Sequence, residues 1–86
     1  MTTVTISGTV GQVEESRRDN SLWVALVLSG APQWKIILKG QAAEDVLTKV
    51  CAGSEVVASG TYIQSSINDN QTVLKLFATD CMRFEI

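Results

Sequence analysis

The chain has 86 residues, 45% of them apolar and 19% charged. That is one small globular domain, residues 1–86, and neither a disordered nor a collagen-like chain. Seven Lys/Arg stand against nine Asp/Glu, a net charge of −2, so any polyanion site must be a local cluster of cations rather than a property of the whole surface.

Along the chain, Thr3 to Val10 alternates polar and apolar residues and predicts a half-buried strand, with Gly8 expected to supply a bend or bulge. Glu14 to Ser21 reads as a polar, turn-rich loop. Leu22 to Ser29 predicts a second strand with Leu22, Val24, Leu26 and Leu28 on one face and Trp23, Ala25 and Val27 on the other. Gly30-Ala31-Pro32 breaks the chain, and Trp34 to Lys39 predicts a third strand, with Trp34, Ile36 and Leu38 opposite Lys35, Ile37 and Lys39. Gln41 to Val50 then switches to helical spacing: Ala43, Val46, Leu47 and Val50 share a face, Glu44 and Asp45 sit in the first turn and Lys49 in the last, with Gly53 placed to end the helix. Glu55 to Gln64 predicts a fourth strand interrupted by Gly60, with Tyr62 inward and Ile63 outward. Ile67 to Gln71 predicts a hairpin turn, and Thr72 to Ala78 a fifth strand with Leu74, Leu76 and Ala78 inward and Lys75 and Phe77 outward.

Five strands with one helix between the third and fourth predict an all-β fold, the five-stranded Greek-key barrel of the oligonucleotide/oligosaccharide-binding (OB) type. Glycines in the first and fourth strands supply the bends that let so small a sheet close.

Catalysis finds no support. Histidine is absent, which removes the commonest general base and metal ligand and rules out Ser-His-Asp and Cys-His arrangements. No phosphate-cradling glycine loop occurs, and no cofactor or metal is expected. Cys51 and Cys81 read as a reduced pair of small buried hydrophobes, with a disulfide between them as the alternative. With no leader and no apolar run of membrane-spanning length, the expectation is a soluble, cytoplasmic, non-enzymatic domain.

Ile6-Ser7-Gly8-Thr9-Val10, Ile37-Leu38-Lys39-Gly40 and Gly53-Ser54-Glu55-Val56-Val57-Ala58-Ser59-Gly60 together resemble bacterial primosomal replication protein n and the related single-stranded DNA-binding proteins. The resemblance covers nearly the whole chain. It implies an OB-fold that self-associates as a homodimer or homotetramer, often through its first strand, and that binds single-stranded DNA in replication or repair, alongside a replication-protein partner. It also implies that Lys35 and Lys39 stand where the family places backbone-contacting and stacking side chains. Three features depart from the family pattern: Ser65 to Gln71 holds Asp69 and neither Lys nor Arg, the second strand lacks flanking basic residues, and the sequence closes on Glu85-Ile86 without an acidic tail.

Single-strand binding, to DNA or alternatively to RNA, needs aromatic platforms for bases and cations along the backbone path. Alternation places Trp23, Lys35, Lys39, Lys75 and Phe77 on one outer surface, with Arg17 and Arg18 on the loop between the first two strands. Trp23 and Phe77 have two readings, base stacking or a homo-oligomer contact shared with Val27, Ile37, Val57 and Ile63. Arg17 and Arg18, beside Glu14, Glu15 and Asp19, read either as a phosphate clamp or as a solvated loop. Trp34 alternates with the core set and reads as core or barrel rim, with DNA contact as the alternative. Phosphate neutralisation by Arg17, Arg18, Lys35, Lys39 and Lys75 together would give a log–log salt slope of roughly −3.5. The first rival to DNA binding is an OB module that docks only protein partners; the second is a small hydrolase or metal protein.

Overall fold

The computed structural model describes residues 2–30 and 32–83; Ala31 and the closing Glu85-Ile86 lie outside them. Five strands and one helix follow in the order β1 Val4–Arg18, β2 Ser21–Leu28, β3 Gln33–Lys39, α1 Gln41–Lys49, β4 Glu55–Asn68 and β5 Gln71–Arg83. The strands form a closed barrel in the order β1-β2-β3-β5-β4. This is the expected OB architecture, with the helix between β3 and β4.

The strands are longer than the sequence pattern predicts, and the two hairpins explain why. Asp19-Asn20 and Asp69-Asn70 all have positive φ, at 51°, 63°, 50° and 63°. Two consecutive left-handed residues make the tight type I′ turn, whose twist matches that of the flanking strands, and Asp and Asn tolerate that conformation better than other non-glycine residues. Pairing therefore runs right up to each turn. Glu14 to Arg18, expected as loop, is strand paired with β2 as far as Arg18 opposite Ser21. The β4–β5 ladder likewise continues to Asn68 opposite Gln71.

β1 serves two neighbours in succession. Val4 to Thr9 pairs with β4, and Val10 to Arg18 pairs with β2, with a register irregularity between Val10 and Gln12. The bend thus falls at Gly11. Gly8, expected to supply it, lies in regular pairing opposite Val56, where a Cβ would come within 3.1 Å of Leu28 Cδ1. A parallel pairing of β3 with β5 closes the ring.

Gly60 marks the second irregularity. Register shifts flank it on both sides, between Ser59 and Gly60 and between Gly60 and Tyr62. A Cβ at Gly60 would collide with the carbonyl oxygen of Phe77 and stand 3.0 Å from Ala78 Cα, so only glycine lets the strands approach here.

The barrel interior is filled by the residues that alternation assigns to it. Leu26, Ile36, Ala58 and Leu76 are fully buried, and Val10, Val24, Leu38 and Val56 nearly so. Each large aliphatic side chain contributes about 1.5–3 kcal/mol by leaving water. α1 packs over β2, β3 and β5, placing Ala43 and Val46 in the same core, and Val50 joins them just past the helix end. The Val50 N–H still donates to the Val46 carbonyl, and the Gly53 N–H donates to the Val10 carbonyl at 2.7 Å. Gly53, at φ 95°, therefore shapes the turn into β4 instead of ending the helix.

Candidate nucleic-acid interface

Cross-strand partners share a face of the sheet, so the registers build the outer surface row by row. In one row, Glu14 lies opposite Ala25, Ala25 opposite Ile37, Ile37 beside Phe77 and Phe77 opposite Tyr62. The next row runs through Val27, Lys35, Lys75 and Gln64. On the other flank, Ser16, Trp23 and Lys39 form a third. Successive rows are two residues apart along the strands, roughly 7 Å. An apolar and aromatic row thus runs between a paired-lysine row and a row carrying a tryptophan and a lysine.

Four of the seven Lys/Arg stand on this face of a chain whose net charge is −2. Lys35, Lys39 and Lys75 come from β3 and β5, and Arg18 lines an open groove of about 620 Å³ with Trp23, Ile37, Phe77 and Lys75. The Lys39 ammonium sits 5.4 Å from the centroid of the Trp23 ring, close enough for a cation–π contact that steadies the indole. The Lys35 Nζ lies 3.5 Å from a carboxylate oxygen of Glu14.

Arg17 does not join the others. Its partner on β2 is the buried Leu22, so it projects from the opposite face of the strand; because Glu14 to Arg18 is strand and not loop, alternation separates the two arginines. Trp34 also lies off the ladder. It pairs with Leu74 and packs half-buried against the core at the barrel rim.

Tyr62 is the residue that sequence alternation misplaced. Expected inside, it is 59% exposed, opposite Phe77 with ring centroids 5.2 Å apart and a 58° tilt. Ile63, expected outside, pairs with the core residue Leu76 and so turns to the inner face of the sheet, although it stays 38% exposed. Both inversions have one cause: the irregularity at Gly60 adds a residue to β4 between the Gly60–Ala78 and Tyr62–Phe77 pairs and flips every face assignment beyond it. An interior glycine in a predicted strand was the signal for that flip. The consequence is a third aromatic ring on the outer face, extending the platform from β2 to β4.

The cysteines lie outside the ladder. Both are free; Cys81 is half-buried, whereas Cys51, expected buried, is exposed because it lies past the end of α1, at the turn into β4. Burial, reinforced by the neighbouring Asp80 carboxylate, pushes the Cys81 thiol up to about 11, far from the activated thiolate that nucleophilic chemistry needs. Among the described residues no group of three His, Cys, Asp or Glu could hold a metal, and no helix is long and apolar enough to cross a membrane.

Two solved structures superpose on nearly the whole chain. One is the second single-stranded DNA-binding protein (SSBb) from Mycobacterium smegmatis, with a TM-score of 0.80 at 16% identity, covering 98% of this chain and 87% of that one. The chain shares its fold. The other is the small single-stranded DNA-binding protein from Streptomyces coelicolor, with a TM-score of 0.71 at 14% identity, covering 96% of this chain and 94% of that one. No protein-family pattern matches the sequence, and no curated protein does.

Proposed function

We propose that this chain binds single-stranded DNA across the outer face of β2, β3, β5 and β4, without catalysis. The observation that carries the proposal is the ladder itself: Trp23, Phe77 and Tyr62 stand among Lys35, Lys39, Lys75 and Arg18 on one side of an anionic molecule. Rings of this kind hold bases by stacking, which is tolerant of sequence because every base has a π-face. The cations neutralise phosphates and release condensed counterions, so affinity falls steeply with salt. The fold shared with two proteins named as single-stranded DNA-binding supports the same reading. The cellular setting we propose is cytoplasmic, in DNA replication or repair of the primosomal or single-strand-binding type. There the chain acts as a homo-oligomer with a replication-protein partner.

Labelled oligo-dT titrated at low salt and followed by anisotropy tests the proposal. Saturable binding that weakens on adding salt is expected. An unchanged signal at tens of micromolar protein, where non-specific contacts already register, overturns it. A second reading, a module that docks only protein partners, is favoured by one observation: Glu14, Glu15 and Asp19 line the same groove as Arg18 and Lys75. Absence of DNA binding is the outcome that would select it.

A further inference from the structure

We propose that Glu14 is a built-in competitor for phosphate, occupying Lys35 in the free protein and yielding it when a strand binds. The inference rests on the DNA-binding reading above and adds to it the group that limits affinity. Glu14 is the carboxylate of the ladder row that runs through Ala25 and Ile37, and its oxygen lies 3.5 Å from Lys35 Nζ. The contact reaches from β1 over β2 to β3, about 10 Å between outer strands. It can do so because the residue beneath it is Ala25, whose methyl leaves the path open.

The position of Lys35 gives this contact its purpose. Lys35 and Lys75 are direct partners on adjacent strands, a like-charge pair that is unfavourable unless an anion lies close by. In the free protein Glu14 supplies that anion; in the complex a phosphate can replace it. Both partners retain substantial solvent access, with side-chain exposures of 28% for Lys35 and 45% for Glu14. An ion pair so exposed is weak, so exchange is cheap. The exchange moves Lys35 from one oxyanion to another and releases few extra counterions, which makes the salt dependence shallower than the cation count predicts.

A distant residue provides the control. Glu55 is exposed opposite Thr9 on the β1–β4 surface, where it lines a different groove with Thr5, Ser7 and Val57. Glu14→Gln and Glu55→Gln change the net charge equally, but only the first frees Lys35. Oligo-dT titrations from 20 to 200 mM salt should show Glu14→Gln binding roughly two- to fivefold tighter at low salt, the range set by removing one exposed ion pair. Its log–log slope should be steeper by about 0.7, one additional single-strand phosphate. Glu55→Gln should track the wild type apart from a small uniform gain. Lys35→Gln should cost less affinity in the wild type than in the Glu14→Gln background, a coupling that a merely structural Glu14 would not produce.

Thermal melts of every variant establish that each is folded. Binding by the wild type with Glu14→Gln and Glu55→Gln indistinguishable overturns the role of Glu14 and leaves DNA binding standing. Absence of binding in all the proteins overturns both.

Discussion

Replacing Trp23 by alanine separates the two roles open to that side chain. Trp23 is half-buried on the outer face of β2 and is not among the residues packed against the core, so its truncation should cost about 1 kcal/mol or less of stability. Its loss to DNA binding is larger. A stacked base is worth about 1–3 kcal/mol, and the Lys39 ammonium 5.4 Å from the ring loses a contact of about 0.5–1 kcal/mol that orients it. A combined loss near 2 kcal/mol lowers affinity for oligo-dT about thirtyfold. The assay is anisotropy with labelled oligo-dT at fixed low salt, alongside light scattering of the free protein. A drop of that size with unchanged mass establishes stacking. Affinity within twofold of wild type, accompanied by dissociation to a lighter species, refutes stacking and assigns the indole to a contact between copies of the chain.

Three further outcomes follow from the geometry. Tyr62→Ala should weaken DNA binding by roughly tenfold, one stacked ring, while lowering the melting temperature only modestly, since the exposed ring loses just its tilted contact with Phe77; a large fall in melting temperature with unchanged affinity contradicts this. Gly60→Ala should destabilise the fold by about 3 kcal/mol or more, since the new Cβ meets backbone atoms of Phe77 and Ala78 that cannot move without breaking the β4–β5 ladder; a denaturant midpoint within error of wild type would refute the close approach. The Cys81 thiol, raised from 9.0 to about 11 in the folded chain, binds its proton more tightly there than in the unfolded chain. Its contribution is therefore fully present below pH 9 and is lost as pH rises from 9 towards 11. Denaturant melts across that window should lose stability in wild type more than in Cys81→Ala, and equal losses would contradict the shift.

Much of this molecule is legible in its sequence, and the limits have definite causes. Alternation in Leu22–Leu28 and Trp34–Lys39 reports the faces faithfully because β2 and β3 pair with each other without irregularity and the β1–β2 irregularity adds its residue to β1, so the inner faces of β2 and β3 read correctly. Alternation failed at Tyr62 and Ile63, where the irregularity at Gly60 inverts the faces; composition shows that a glycine is present but not which way the chain resumes. It failed again at Arg17, because a polar run looks like a loop whether or not a tight Asp-Asn turn lets it pair. The Glu14–Lys35 contact spans three strands and depends on the registers of two ladders at once, information that no local pattern carries.

The most direct test maps the bound strand on the protein. Backbone amide and indole NMR shifts, followed as unlabelled oligo-dT is added at low salt, should move at Trp23, Lys35, Ile37, Lys39, Lys75, Phe77 and Tyr62. They should stay in place at Thr5, Ser7, Thr9 and Val57 on the β1–β4 surface. Shifts gathered on that second surface, or no shifts at all at saturating DNA, would contradict the assignment of the outer ladder as the DNA-binding face.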